Sequence, residues 1–235
     1  MMHNSLTRFH HLKYRINGEL LLNIDELSLY AGSCCVLSGA NGSGKTTLMK
    51  IIAGLLKPES AQVNLHNHNI MNWNKARKLL HKHTAYLHQQ PFLFDTTVYN
   101  NIGYGLKNSP HKRSHYHTMI EEALDWAGLS EMEQRHARLL SGGEKQRLAL
   151  ARAYVTEPAV MLMDEPTANM DQASKAQTYQ LIRQLKERGI SILISSHERE
   201  QIETLGDLHL NLHNGELSSE TFASKEPATP LRLIK

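Results

Sequence analysis

The stretch "GANGSGKTT" at residues 39–47 has the composition of a polyphosphate cradle. It satisfies the pattern G-x-x-x-x-G-K-[ST], with an apolar run at 34–37 leading in and a helical pattern leading out. Gly39, Gly42 and Gly44 let the backbone curl so that N–H groups, including those of Ala40, Asn41, Ser43 and Thr47, close around phosphate oxygens. Lys45 reaches the β and γ oxygens, and the Thr46 hydroxyl is a hard oxygen ligand suited to Mg2+. A second stretch, "AVMLMDEP" at 159–166, reads as a buried strand delivering Asp164 and Glu165 at its carboxyl end, where ligands of parallel sheets collect. Asp164 is placed to hold Mg2+ through water, and Glu165 to orient or deprotonate an attacking water. A third, "LSGGEKQRLALARA" at 140–153, puts Ser141, Gly142 and Gly143 at the mouth of an amphipathic helix, whose unpaired N–H groups make a second anion site. One nucleotide does not need two such mouths in one chain.

The elements that must position these residues alternate in type. Strand-like runs at 33–39, 83–89, 159–165, 190–196 and 208–217 are separated by helical patterns, which favours a largely parallel sheet covered by helices. One helix is expected at 45–56, with Leu48, Ile51, Ile52 and Leu55 on one face before Pro58, and another at 171–188, with Leu181, Ile182 and Leu185 inward and Gly189 as its stop. Residues 91–139 carry helical segments at 98–106 and 114–127 without strands between them and read as a helical insertion. Asn214-Gly215 signals a hairpin and hence an antiparallel pair at the end of the sheet. One domain over residues 1–218 accounts for the pattern, followed by a short arm at 219–235 containing Pro227 and Pro230.

Composition narrows the class. At 235 residues and 40% hydrophobic content the chain can bury a full core without staples. Cys34 and Cys35 are adjacent inside an apolar run, so they read as small buried side chains in a reducing compartment rather than as a disulfide. No apolar run reaches the length of a membrane span, and the N-terminal residues are too polar for a signal peptide. A net charge of +3 with no basic block gives no footing for nucleic acid. The histidines at 66/68, 81/83/88 and 111/115/117 lack accompanying cysteines or paired carboxylates and read as solvated surface.

Residues 39–46, "LSGGE" at 140–144 and "MDEPTANMD" at 163–171 together resemble the ATP-binding-cassette ATPases, and the resemblance runs over nearly the whole chain. It implies an α/β P-loop NTPase with a mostly parallel central sheet, an N-terminal antiparallel β subdomain and an inserted helical subdomain. It also answers the puzzle of the two mouths: in this family Ser141, Gly142 and Gly143 would bind the γ-phosphate of an ATP held by a second subunit. Gln89 matches the glutamine that senses Mg2+ and the attacking water, with Gln90 as the alternative register. His197 matches the switch histidine at the γ-phosphate. Asp171 matches an acid that crosses the dimer seam, although Met170 stands where leucine is commoner. Tyr14 matches the aromatic that stacks on adenine, with Phe9, His10 and His11 as rivals.

The same resemblance implies an ATPase using ATP and Mg2+ at the cytoplasmic face of a membrane. Its partners would be a second cassette, integral permease subunits and an external substrate-binding protein. Phe92, Leu93 and Phe94 are then either contacts to the permease or core of the insertion. Within the family the chain looks most like a bacterial importer of a small solute, with tungstate or a related oxyanion as the first subtype. A cassette serving lipoprotein release or cell division is the alternative.

Overall fold

The structure is a computed structural model describing residues 5–65 and 68–220, so His66 and the proline-containing arm at 221–235 lie outside the described residues. The chain opens on a long hairpin, β1 (Ser5–Ile16) and β2 (Glu19–Tyr30), and continues through β3 (Cys34–Ser38), the glycine loop and α1 (Lys45–Ile52). β4 (Ser60–Leu65) and β5 (His68–Ile70) follow, then α2 (Trp73–His83) and β6 (Thr84–Leu87). A helical stretch comprises α3 (Val98–Gly103), α4 (Tyr116–Trp126) and α5 (Gly142–Tyr154). The chain then alternates through β7 (Val160–Asp164), α6 (Gln172–Glu187), β8 (Ser191–Ser195) and α7 (Arg199–Leu205), ending in the hairpin β9 (Leu208–His213) and β10 (Glu216–Glu220).

Two sheets result. A four-stranded sheet of order β2-β1-β4-β5 is antiparallel, and a six-stranded sheet of order β10-β9-β3-β8-β7-β6 is parallel except for the β9–β10 pair. Asn214 and Gly215 turn that pair with φ of 50° and 83°, the left-handed pair that a two-residue hairpin requires. β3, β8 and β7 are buried almost throughout, which is why their sequences are continuous apolar runs rather than alternating ones. Cys34 and Cys35 are both buried, as their apolar surroundings predict. Burial, with the nearby Asp207 carboxylate adding to it, pushes the Cys35 thiol up to about 12.

Several boundaries differ from expectation for local reasons. α1 stops at Ile52, not 56: Gly54, at φ 71°, donates to Ile51 O and Leu55 N donates to Lys50 O, closing the helix in a Schellman turn. Leu55, expected on the buried face, is therefore 49% exposed. α6 starts at Gln172 with Asp171 as its N-cap and ends in the same kind of turn at Gly189, as its sequence predicts. The expected helix at 98–106 is α3 followed by a 3-10 turn over Tyr104–Asn108, and that at 114–127 is α4 preceded by a 3-10 turn over Arg113–His115. β10 runs two residues beyond the expected domain end at 218.

The insertion has its own core, containing Val98, Ile102, Leu124 and Leu129. α5 belongs to it and also to the sheet: Leu148, Ala151 and Val155 pack into the insertion, while Ala149 and Leu150 pack with Met161, Met163 and Ile194 from the sheet. Thus the helix opened by Ser141 is rigidly shared between two layers. Of the histidines, His111 pairs with Glu157 at 3.0 Å and His117 with Glu121 at 3.2 Å, while His81, His88 and His115 are exposed.

Candidate functional site

The glycine loop lies between the end of β3 and the first turn of α1, so a parallel strand aims its carboxyl end at a helix N-terminus. Lys45 begins the helix, is buried, and folds its ammonium back over the loop, donating to Gly39 O at 2.8 Å and Ala40 O at 3.1 Å. Gly39 has no room for a side chain, because a Cβ there would collide with the Leu212 carbonyl and lie 2.8 Å from Ser43 Oγ. Ser43 Oγ is itself closed from solvent and has no hydrogen-bond partner among the described residues. Ala40, Asn41 and Gly42 are exposed at the loop crest, and Thr47 follows on α1, half-buried.

Opposite the loop, three hydroxyls converge on Asp164 at the end of β7. Thr46 Oγ1 donates to Asp164 Oδ2 at 2.7 Å, Tyr86 OH donates to the same oxygen at 3.2 Å, and Ser195 Oγ donates to Asp164 Oδ1. The Ser195 hydroxyl also accepts from the backbone N–H of Glu165 at 3.0 Å, tying both acids to the end of β8. Glu165 stands at φ 45°, a left-handed conformation uncommon for a non-glycine residue and one that recurs where side chains are held for function. Gln89 Nε2 donates to Glu165 Oε2 at 3.0 Å, and His197 Nδ1 lies 3.3 Å from Glu165 Oε1. Gln89 therefore joins the Glu165 cluster rather than the Thr46–Asp164 pair; it is this glutamine, not Gln90, that reaches the acid. Burial first, then the charge and hydrogen bond of Asp164, push the Tyr86 phenol far above its ordinary range, so it remains a donor.

These groups fit Mg2+ and a nucleotide. Thr46 and Asp164 present two oxygens within hydrogen-bond distance of each other, the donor chemistry Mg2+ selects, and Lys45 holds a cation over a curled loop lined with N–H groups.

The second mouth is constructed separately. Ser141 caps α5: its Oγ accepts from Glu144 N at 3.3 Å while Glu144 Oε2 accepts from Ser141 N at 2.7 Å, a reciprocal capping box. Those bonds, led by the Ser141 N–H, hold the Glu144 carboxyl below its ordinary range. The first-turn N–H groups of Gly142 and Gly143 have no intrahelical acceptor. Gly143 is buried against Ser174, whose Oγ would lie 2.5 Å from a Cβ at that position. Ser174 N and Oγ in turn donate to Asp171 at 2.9 and 2.8 Å, which keeps the exposed Asp171 carboxyl below its usual range. Ser141, Gly143, Ser174 and Asp171 thus form one unit joining the starts of α5 and α6. Among the described residues, none of them hydrogen-bonds to the loop at 39–47.

Tyr14 pairs with Leu22 in the β1–β2 ladder, and its ring is half-buried against the core. Phe9 is wholly buried and cannot meet a ligand, whereas Ile16 and Leu20 at the hairpin end are 50% and 46% exposed. Of the aromatic segment after Gln89, Leu93 packs into the cores. Phe94 stacks on Tyr104 at 3.9 Å, and Phe92 is 70% exposed, with its carbonyl accepting from Arg152 at 2.7 Å. Tyr86, Ser195 and Ser174 had no sequence signal, since an aromatic or a serine in a strand or helix reads as packing.

A strand, a glycine loop and a helix facing two strand-end acids define a P-loop nucleotide-binding fold. Residues 22–168 match the ABC transporter family, and the chain belongs to it, carrying the ATPase domain of a family that hydrolyses ATP to power transport. The Fe(3+) ions import ATP-binding protein FbpC of Haemophilus influenzae is 34% identical over 203 residues, 86% of this chain and 58% of that protein. The molybdate/tungstate import ATP-binding protein WtpC of Methanocaldococcus jannaschii is 34% identical over 184 residues, 78% of this chain and 60% of that protein. The chain spans less than two thirds of the length of both. Among solved structures, cbiO1 from Clostridium perfringens, part of the ABC transporter complex cbiONQ, superposes with a TM-score of 0.84 at 25% identity, covering 93% of this chain and 89% of that one. Among the described residues no helix is long and apolar enough to cross a membrane.

Proposed function

We propose that the chain is the ATP-hydrolysing subunit of a membrane importer. Its working form is a twofold dimer in which each ATP lies between residues 39–47 of one copy and Ser141–Gly143 of the other. The observation that carries this reading is the second mouth, with first-turn donors at the start of α5, braced by α6 through Ser174 and, among the described residues, not hydrogen-bonded to the chain's own loop. In this reading its phosphate is the γ-phosphate of the ATP held by the other copy.

In the proposed cycle the Lys45 ammonium exchanges the Gly39 and Ala40 carbonyls for β and γ oxygens, trading neutral acceptors for charged ones. Thr46 and Asp164 hold Mg2+, which supplies charge neutralisation at the phosphates. Glu165 accepts the proton of the attacking water, with Gln89 and His197 each fixing one of its oxygens. Tyr14 stacks on adenine, and Asp171 approaches the partner from the same rigid unit as Gly143. Loss of the γ-phosphate removes the ligand shared by the two copies and lets them part, so the closed state is favoured by ATP over ADP. The insertion transmits this motion to permease subunits at the cytoplasmic face of the membrane. Exposed Phe92, directly after the Gln89 segment, is the proposed contact; Leu93 and Phe94 serve the insertion's own packing. The cargo we propose is a small inorganic ion, tungstate or a related oxyanion, delivered by an external binding protein; the import proteins among its relatives support this.

Glu165→Gln tests the core of this reading. The variant keeps its shape and its ATP binding, loses about 10²–10⁴-fold in hydrolysis, and accumulates ATP-dependent dimers in sedimentation. A parent chain whose turnover per molecule is unaffected by dilution, together with a variant that turns over normally, would refute it.

A further inference from the structure

The sheet order places β7 between β6 and β8, so the carboxylate at the end of β7 can be gripped from both sides. Tyr86 lies on β6, pairs in register with Leu162 of β7, and reaches forward to Asp164 Oδ2; fully buried Ser195 closes β8 and donates to Asp164 Oδ1. The third donor, Thr46, comes from α1 across the site. Thr46 is itself read as a cation ligand through the same oxygen, so its hold on Asp164 is shared with the metal. The two flanking hydroxyls belong to strands hydrogen-bonded on either side of β7 and are not themselves cation ligands in this reading.

We propose that Tyr86 is a positioning residue for the divalent cation: with Ser195, it fixes the plane and the angle at which Asp164 presents its oxygens. This rests on the reading of Asp164 as a cation ligand and adds a group that nothing in the sequence motifs points to. Two features favour a positioning role over simple packing. The phenol is committed as a donor to a charged acceptor, a bond stronger than a neutral one, and it lands on the same oxygen that Thr46 contacts. Its ring is also fixed: it packs partly buried against the core and meets the His88 ring edge-on at 4.5 Å, so the hydroxyl has little freedom to leave. Partners of this kind set ligand orientation, and their loss typically weakens metal binding by about 10–100-fold.

The test is calorimetric titration of ADP into the full chain, in EDTA and across a Mg2+ series, for Tyr86→Phe and for Tyr86→Met, which lacks both ring and hydroxyl. Both variants are expected to raise the Mg2+ midpoint for tight ADP binding about tenfold while leaving affinity in EDTA within twofold of the parent. A Mg2+ midpoint within twofold of the parent, or an equal loss of affinity with and without Mg2+, overturns the inference. The second result would mean that the ring only supports the loop. Asp164→Asn separates the two levels. If it shifts the midpoint and the Tyr86 variants do not, only the role of Tyr86 falls; if none of the three shifts it, the reading of Asp164 falls as well.

Discussion

Two glycines of the same loop should respond differently to the same added methyl. Gly39 sits at φ 147°, a conformation that costs a non-glycine residue about 1–3 kcal/mol. A Cβ there would also come roughly 1 Å inside ordinary contact with the Leu212 carbonyl oxygen. Leu212 cannot retreat: it is fully buried in β9 and paired with Leu217 of β10. The loop must move instead, carrying with it the Gly39 carbonyl that now seats Lys45. Strain and overlap together come to about 3 kcal/mol, or about a hundredfold in nucleotide affinity. Gly42 is also left-handed, at φ 79°, but nothing lies within 4 Å of its Cβ position. Gly42→Ala should therefore cost only the backbone term, about 1 kcal/mol or some fivefold. Titration of ADP in the presence of Mg2+, with thermal melting to register global effects, measures both. Gly39→Ala binding within a few-fold of the parent, or Gly42→Ala binding more weakly than Gly39→Ala, would refute the reasoning.

The capping box gives a pH signature. The Glu144 carboxyl is held below its ordinary range, so its contribution is complete above about pH 4.3 and disappears as pH falls through the lower folded value. Glu144→Ala should cost about 1 kcal/mol, a fall of roughly 2–4 °C in Tm at neutral pH, with the gap to the parent closing in acid; a gap that widens below pH 4 contradicts the assignment. The buried Cys35 thiol, pushed up to about 12, should resist a disulfide reagent at pH 8 in the native protein and react once guanidinium unfolds it; immediate labelling of the native chain would contradict its place in the sheet centre.

Much of the parallel sheet was legible because β3, β7 and β8 are short continuous apolar runs, and burial on both faces demands that pattern. The N-terminal antiparallel unit was implied only by the family resemblance; the residue pattern of its β1–β2 hairpin did not show it, and the reason lies at His11. Inward residues change parity there: Leu12 faces Ile24 and Phe9 faces Leu27, and between them His11 adopts φ 51°. An irregularity of this kind shifts the alternation in both strands, so neither reads as period two. The helix at 45 was over-extended because Leu55 continues the apolar spacing, while Gly54 had already ended the helix with a left-handed turn.

The sequence by itself determined the chemistry: a loop that closes on phosphates, two acids at a strand end, and a capped helix mouth made for a second anion. Each depends on a handful of contiguous residues whose backbone preferences act locally, through glycine at left-handed φ and serine at a helix start. Only the tertiary structure decided what surrounds those groups: Tyr86, Thr46 and Ser195 on Asp164, Gln89 and His197 on Glu165, and Ser174 beneath Gly143. Such partners are joined by strand order and by packing of distant apolar faces. Thr46 and Asp164, 118 positions apart, meet because burial folds β3 and β7 into one sheet, with β8 between them, and no local preference along the chain encodes that meeting.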